Sequence, residues 1–582
     1  MARPEHRPWR SGDVGDRAHR EWLVRYGAGM DPVHGGEHVV DAAKAAGVST
    51  VFTLSGAHIF PVYDAAVGGK AGVEAAGDAR AAERQGPLRL IDTRHEQTAV
   101  FAAEGVGKLT RTPGFAAVTA GPGVTNAVSA ITSAWFNGSP MVVLGGRSPD
   151  SRWGSGALQE LDQPPILASV TKDAWTTHDV IRIREDGDRA FALAASAHQG
   201  PVFWDIPIDV IFAPAPREPR LPAAVNRGIE PDPDAIAAAQ ALIAESRHPV
   251  LILSSGAWMA DAVEQAQHLV AERNLPVIAN GMGRGVVPPN DPHLVTRARS
   301  AAFKGADLVI VVGTPLDFRL GFGLFGDPPA KVIHVIDAET ERSSAATVAC
   351  TIVGDLRSSL AALAHGPAAD EVWVSSLRDI AQVAIDADQE VLTSDSSPIH
   401  PARIYGELLP RLTDDAVVIG DGGDFVSFAG KYVEPNLPGR WLDPGPYGCL
   451  GTGPGYALAA GVAYPQSPIF LLMGDGAAGF SLMDVDSLVR HRVPAVMIVG
   501  NNAGWALEKH PMRFLYGYDV IADLPALRYD EIVTALGGGG ETVTDPSQIG
   551  PAIDRAMAAG LPYLVNVMTD PEAAYPRNTL GI

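Results

Sequence analysis

A carboxylate and an amide stand where two apolar runs stop. Asp475 follows "PIFLLMG", and Asn502 closes "PAVMIVGNN" 27 residues later. Between them a glycine-rich turn, "GDGAAG", leads into an amphipathic stretch. Strand, turn, helix and strand in that order form a right-handed crossover, so both strands end on the same edge of one sheet. A carboxylate and an amide oxygen at that edge can share a hard cation such as Mg²⁺, which prefers oxygen ligands. The turn Gly474–Asp475–Gly476–Ala477 opens a helix, whose free N–H groups favour phosphate. Alone, Asp475 is as well read as a helix cap. With flanking glycines and Asn502 at this spacing, it reads as half of a Mg²⁺–diphosphate site.

The elements around these residues have to hold them still. Two polar, Pro- or Ser-rich segments, 213–234 and 386–401, divide the 582 residues into three blocks. "STVFTL", "FAAVTA", "PMVVLGG" and "GPVFWDIP" read as strands of the first block. "PVLILSS", "LPVIAN", "DLVIVVG" and "KVIHVID" serve the second, and "AVVIGD", "PIFLLMGD", "PAVMIVGN" and "PYLVNVM" the third. Continuous apolar runs alternating with amphipathic helices indicate parallel sheets covered on both faces. The expected fold is α/β, with three doubly wound domains over 31–212, 230–385 and 398–570. Residues 1–30 read as an N-terminal extension and 571–582 as a polar tail, whose Tyr575 and Arg577 could close over a site as a lid.

The net charge of −22 argues against nucleic acid or an anionic membrane as partner. Any anionic ligand then needs a local cluster of cations or backbone N–H groups. Cys350 and Cys449 show no metal or disulfide spacing, which suits a reducing cytoplasm. No apolar run reaches the roughly 20 residues of a membrane span.

"GDG", this spacing, then "NN" resembles the diphosphate motif of thiamine diphosphate enzymes. The resemblance implies Asp475 and Asn502 as metal ligands, with the backbone oxygen of Gly504 as a third. "DTRHEQTAVFAAEGVGK" (92–108) resembles the segment of the acetolactate synthase branch that carries the cofactor's carboxylate partner. That assigns Glu96, which would hydrogen-bond the aminopyrimidine and let it act as an internal base. "GDGGDF" (420–425) and "YGCLGTGPG" (447–455) match the cofactor-cradling segments. They place Gly422, Gly423, Asp424 and Gly448 near the cofactor and make Leu450 the wedge that bends it. Gly121, in "TAGPGVTNAVSAI", would line the pocket, and Gln159, in "GALQELDQ", would lie near it. In this family the two halves of the site meet across a homodimer, and dimers often pair into tetramers.

The resemblance extends to the central block, where the acetolactate synthase branch holds FAD and the CoA-ester branch ADP. "VGTPLDFRLGFG" (312–323) resembles the latter, so ADP is favoured. Arg147 and Arg299 fall where that branch has ADP-contacting arginines, and Gly256 belongs to the same reading. Asp337 and Asp355 end strands, where carboxylates can bind ribose or merely cap helices. Substrate should meet Gly56, Ala57 and His58 in "LSGAHIF", Trp505 and Glu508 in "NNAGWALEKH", and Arg284 as a CoA phosphate contact. His58 could shuttle a proton. Glu508 could act as acid or base, although each side chain could instead be structural. The implied function is cleavage of a 2-hydroxyacyl-CoA to formyl-CoA and a ketone or aldehyde. An acetolactate synthase-like carboligase and a non-catalytic nucleotide-binding scaffold are the alternatives.

Overall fold

The computed structural model describes residues 32–217, 228–341 and 347–575. Three parallel sheets form its frame. The first runs Arg89–Asp92, Thr50–Thr53, Gly114–Val118, Met141–Arg147, Pro201–Pro207, Ala174–Thr176 across its six strands. The last runs Trp441–Leu442, Val417–Asp421, Ile469–Gly474, Val496–Asn501, Tyr563–Met568, Gly539–Val543. Numbered along the chain, both sheets have the strand order 2-1-3-4-6-5. The central sheet runs Val277–Ala279, Pro249–Leu253, Leu308–Val312, Lys331–Ile336, Cys350–Val353, an order of 2-1-3-4-5. Every strand pair in these sheets is parallel. In each, the order reverses between the first and third strands, and ligands of such sheets bind at that crevice.

The inner strands are buried along nearly their whole length, less so only at end residues such as Lys331, Tyr563 and Met568, as helices on both faces require. The edge strands Arg89–Asp92, Ala174–Thr176 and Gly539–Val543 are half-exposed and mixed in composition. Pro32–His34 and Pro214–Pro216 pair antiparallel and tie the two ends of the first domain together. The helix Glu371–Ala387 packs back on the central domain, so the passage to the last domain comes after it. Residues 1–30 lie outside the described residues. Among those described, no helix is long and apolar enough to cross a membrane.

The first and last domains meet along two helices, Glu96–Thr110 and Gly453–Ala463. The second is apolar around nearly its whole circumference and almost entirely buried. Small residues let the pair close. A Cβ on Gly105 would stand 2.6 Å from Ala459 Cβ, and one on Gly455 would stand 2.7 Å from Phe101 Cβ. Phe101 and Tyr456 fill the remaining space edge to face, with centroids 6.1 Å apart. Polar bonds fix the register: Thr98 Oγ1 donates to Asp484 at 2.7 Å, and Lys108 Nζ donates to the Asp443 carbonyl at 3.0 Å. The central domain joins at the same place, where Trp258 Nε1 donates to the Lys108 carbonyl at 2.7 Å.

Gly105→Val should therefore wedge the first and last domains apart. Overpacking of this kind costs about 1–3 kcal/mol, so thermal denaturation should show a lower midpoint. A midpoint equal to that of the unaltered chain would contradict the role given to this contact.

Candidate functional site

In the last sheet Gly474 pairs with Gly500. Asp475 and Asn502 therefore stand one and two residues beyond adjacent positions of the ladder. They border a cavity of about 480 Å³ at the strand-order reversal, lined also by Gly422, Gly423, Asp424, Gly448, Leu450, Gly474, Gly476, Ala477, Gly504, Trp505 and Glu508. Asp475 is buried, and its Oδ2 accepts the Gly504 N–H at 3.1 Å. Burial pushes its carboxyl up to about 6, against the pull of backbone N–H groups led by that of Gly504. Asn502 Oδ1 is buried without a hydrogen-bond partner. A buried amide oxygen that lacks a donor, beside a carboxyl that burial drives toward its neutral form, is an arrangement a cation would complete. The donor set is all oxygen, which suits Mg²⁺. The Trp505 ring covers Gly476, where a Cβ would lie 2.4 Å from it.

Asp421, not singled out in the sequence, organises the opposite wall. It is fully buried at the end of Val417–Asp421 and accepts the N–H groups of Gly451 at 2.9 Å and Gly453 at 2.8 Å. Burial raises its carboxyl to about 7, partly offset by the Gly453, Gly451 and Thr452 N–H groups. It thereby fixes the segment that carries Gly448 and Leu450. Its signal in the sequence was the second letter of "GDGGDF", overshadowed by its neighbours.

The first sheet presents a second set of residues at its own reversal. Glu96 begins the helix Glu96–Thr110 and is buried, its Oε2 accepting from Asn126 Nδ2 at 3.1 Å. Gly121 to Gly123 turn beside it: a Cβ on Gly123 would lie 3.7 Å from Glu96 Oε1. A Cβ on Gly121 would lie 3.0 Å from that of Gln159. Gly56 and Ala57 lead into His58, which is buried with Nδ1 3.0 Å from Thr119 Oγ1. Burial lowers the His58 pKa, so near neutral pH its imidazole is uncharged. None of these residues lines the Asp475 cavity. Within one chain the Glu96 helix is docked on Gly453–Ala463 and on Asp484, which leaves Glu96 outside that wall.

The cavity residues include two surprises. Arg284, expected at a phosphate, has its donors committed: to Glu434 Oε1 at 2.9 Å, to the Val433 carbonyl at 3.0 Å and to the Gly430 carbonyl at 2.7 Å. Its guanidinium also lies over Trp441. It joins the central and last domains. Glu508, by contrast, is exposed on the cavity wall in the first turn of Ala506–Tyr516. Next to it Lys509 is buried and paired with Asp523 at 2.8 Å. The start of the tail reaches the cavity mouth, where the Tyr575 N–H donates to Asp424 Oδ2 at 2.9 Å. Arg577 lies outside the described residues.

A separate cleft of about 300 Å³ lies at the reversal of the central sheet, lined by Gly256, Gly313, Asp337 and Asp355 among others. Gly256 and Gly313 let the strand ends touch, since a Cβ on Gly256 would stand 2.4 Å from the Gly313 Cα. Asp355 caps the helix Leu356–Leu363 through the Ser358 N–H at 2.8 Å. Asp337 pairs with His198 of the first domain at 2.9 Å. Arg147 and Arg299 do not line this cleft. Arg147 is held at the edge of the first sheet by Asp162 and Asp205. Arg299 donates to the Arg319 carbonyl at 2.6 Å and lies over Phe303. Arg319, which sequence reading passed over within "PLDFRLG", lines both this cleft and the Asp475 cavity.

Comparison with known families gives three matches in chain order. Residues 33–166 match the N-terminal TPP binding domain of thiamine pyrophosphate enzymes, 236–363 the central domain and 421–567 the C-terminal TPP binding domain. The chain belongs to the thiamine pyrophosphate enzyme family. Thiamine diphosphate, the same compound, is its cofactor, and the chain is an enzyme that depends on it. Among its relatives, a Mycobacterium tuberculosis protein named acetolactate synthase large subunit IlvG is 46% identical over 551 residues, 94% of this chain and 98% of that one. 2-hydroxyacyl-CoA lyase 2 of Caenorhabditis elegans is 33% identical, covering 88% of this chain and 85% of its own length. The Homo sapiens protein of the same name is 31% identical, with 87% and 84% covered.

Asp421→Asn would set an amide N–H₂ against one of the two glycine N–H donors. Leaving a buried donor unmatched costs about 1–3 kcal/mol, so the affinity for thiamine diphosphate should drop about tenfold. Titration of tryptophan fluorescence with the cofactor measures this, and unchanged affinity would remove Asp421 from the site.

Proposed function

We propose that the chain is a Mg²⁺-dependent carbon–carbon lyase and ligase acting on 2-hydroxyacyl-CoA esters. Arg319 carries this reading, because it lines both the central cleft and the cofactor cavity and so joins a nucleotide-type sheet edge to the reaction centre. A long nucleotide-bearing acyl carrier suits such a route. The relatives named 2-hydroxyacyl-CoA lyase 2 are consistent with it. The central cleft takes ADP in preference to FAD, through Gly256, Asp337, Asp355 and Arg319.

Asp475 and Asn502, with the Gly504 carbonyl, would hold Mg²⁺, which would neutralise the diphosphate charge. Thiamine diphosphate, when bound, supplies a carbon nucleophile and stores the electron pair released on bond cleavage. Glu96 holds a proton at a ring nitrogen of the pyrimidine. Glu508 takes the proton of the substrate 2-hydroxyl as the bond between C1 and C2 breaks, releasing an aldehyde or ketone. A proton delivered to C1 completes formyl-CoA, and the same steps reversed ligate it. His58, neutral in its buried setting, orients the carbonyl oxygen. Leu450 and Trp505 exclude water around these groups.

Because Glu96 stands outside the Asp475 cavity of its own chain, a second copy must supply it. Phe480, which packs edge-on against Trp505, and Met483 remain exposed for such a partner. The active unit is at least a homodimer.

A second reading, an acetolactate synthase-like 2-keto acid carboligase, is favoured by the 46% relative. Purified protein with thiamine diphosphate and Mg²⁺ should convert 2-hydroxyacyl-CoAs to formyl-CoA. Acetolactate formed from pyruvate, with every CoA ester inert, would decide for the second reading. Glu96→Gln should lower kcat about 100-fold or more, the usual scale for a lost acid–base group, and undiminished turnover would disprove its role. Glu96→Gln and Asp475→Asn subunits, each inactive alone, should regain about a quarter of full activity when reassociated one to one, since half the dimers then hold one intact site. No recovery on mixing would place both halves of the site in one chain.

A further inference from the structure

Resting on the thiamine diphosphate reading, we propose that Gln163, backed by Asp205, is a positioning residue that sets the turn Thr119–Gly123 against Glu96 and Gln159. Gln163 is fully buried just ahead of the helix Pro164–Leu167. Its amide is used at both ends. Oε1 accepts the Gly121 N–H at 2.8 Å, while Nε2 donates to the Gly146 carbonyl at 2.9 Å and to Asp205 Oδ2 at 2.8 Å. Gly146 and Asp205 lie in adjacent strands of the first sheet, and Gly121 lies three residues beyond the end of the strand next to them, Gly114–Val118. One side chain therefore ties three strand ends together at the edge where Glu96 stands.

Few side chains can do this. The site needs one acceptor and two donors on a single group, which the primary amide provides and a carboxylate or an alkyl chain does not. Its orientation is fixed, since the Gly121 N–H must meet oxygen and the carboxylate must meet N–H. The turn it holds is unusual: Gly121 has φ 61 and ψ −110. Gln159, against which Gly121 packs, is itself left-handed at φ 60. On the other flank the turn is held by His58 at Thr119. A shift of Gly121 thus moves Gln159 on one side and the seat of Glu96 on the other.

Gln163→Glu makes the idea measurable. It places a second carboxyl against Asp205, and two carboxylates that close share a proton rather than both ionise. The protonated glutamic acid can donate to Asp205 and accept from Gly121, losing only the amide's second donation, to the Gly146 carbonyl. The ionised form cannot donate. Other charged groups facing the pair are Arg147, which bonds Asp205, and Asp162 beyond it. His58 packs on Gly146 from the far side. Glu160, on the same segment as Gln163, is engaged by the Gly154 and Ala157 N–H groups.

The experiment uses the full chain with Mg²⁺ and thiamine diphosphate, comparing kcat and cofactor affinity with the unaltered enzyme at each pH. Gln163→Glu should approach the unaltered enzyme at acidic pH and lose about 100-fold in relative kcat as pH rises, the scale of an ångström misplacement. Substrate KM should change little, and affinity for thiamine diphosphate, read by tryptophan fluorescence, should fall over the same pH range. Gln163→Leu should be impaired by a similar factor at every pH. A Gln163→Glu ratio that stays flat with pH, in both kcat and cofactor affinity, would overturn the proposal even if both variants lose thermal stability. If Gln163→Leu does not fold, that ratio decides alone. An unaltered chain that binds no thiamine diphosphate would instead overturn the reading beneath the proposal.

Discussion

A parallel sheet delivers the C-terminal ends of all its strands to one edge, and the chemistry of this chain is gathered at three such edges. There the backbone must turn sharply into helices, which is why glycine crowds these positions. The inner strands are mostly apolar, and the candidate functional groups cluster near the strand ends. Asp475, Asn502, Glu96, His58, Asp337 and Asp355 all obey this. Function is thus separated from packing along each strand–helix unit, and the sheets act as plates that hold the edges in place.

Much of this was legible in the sequence, and the reason is physical. Strands buried on both faces are mostly apolar, so eleven of the twelve runs read from the sequence are inner strands, the other being the edge strand Val277–Ala279. Arg89–Asp92, Ala174–Thr176 and Gly539–Val543 escaped because edge strands face water on one side and carry mixed side chains. Residues proposed to act on a ligand stand out in the sequence through charge or flanking glycines. Residues that act by hydrogen-bonding backbone were not. Asp421 and Gln163 hold glycine N–H groups from distant segments, and nothing local in the sequence marks which loop a buried amide will face. Arg284 shows the converse: it lies on the cavity wall, but its donors are claimed by Glu434 and two carbonyls.

An acidic chain with three deeply buried carboxylates at its ligand edges is electrostatically tense. Asp205, Asp421 and Asp475 each have their pKa raised, in every case chiefly by burial. Their relief differs. Asp205 has Gln163 and Arg147, Asp421 has the N–H groups of Gly453, Gly451 and Thr452, and Asp475 has backbone N–H groups led by that of Gly504. Asp475 and Asp421 are thus held by backbone N–H groups alone, whereas Asp205 also meets a guanidinium.

The close contact between Glu96–Thr110 and Gly453–Ala463 has a consequence for how the chain is made. Roughly 340 residues separate the two helices, and at about 5–20 residues per second a ribosome needs on the order of 20–70 s to span them. For that time the groove around Gly105 and Phe101 emerges complete and uncovered, while its natural cover has yet to be synthesised. The surface that later joins the first and last domains is, during synthesis, an apolar face without its cover, the kind a chaperone shields.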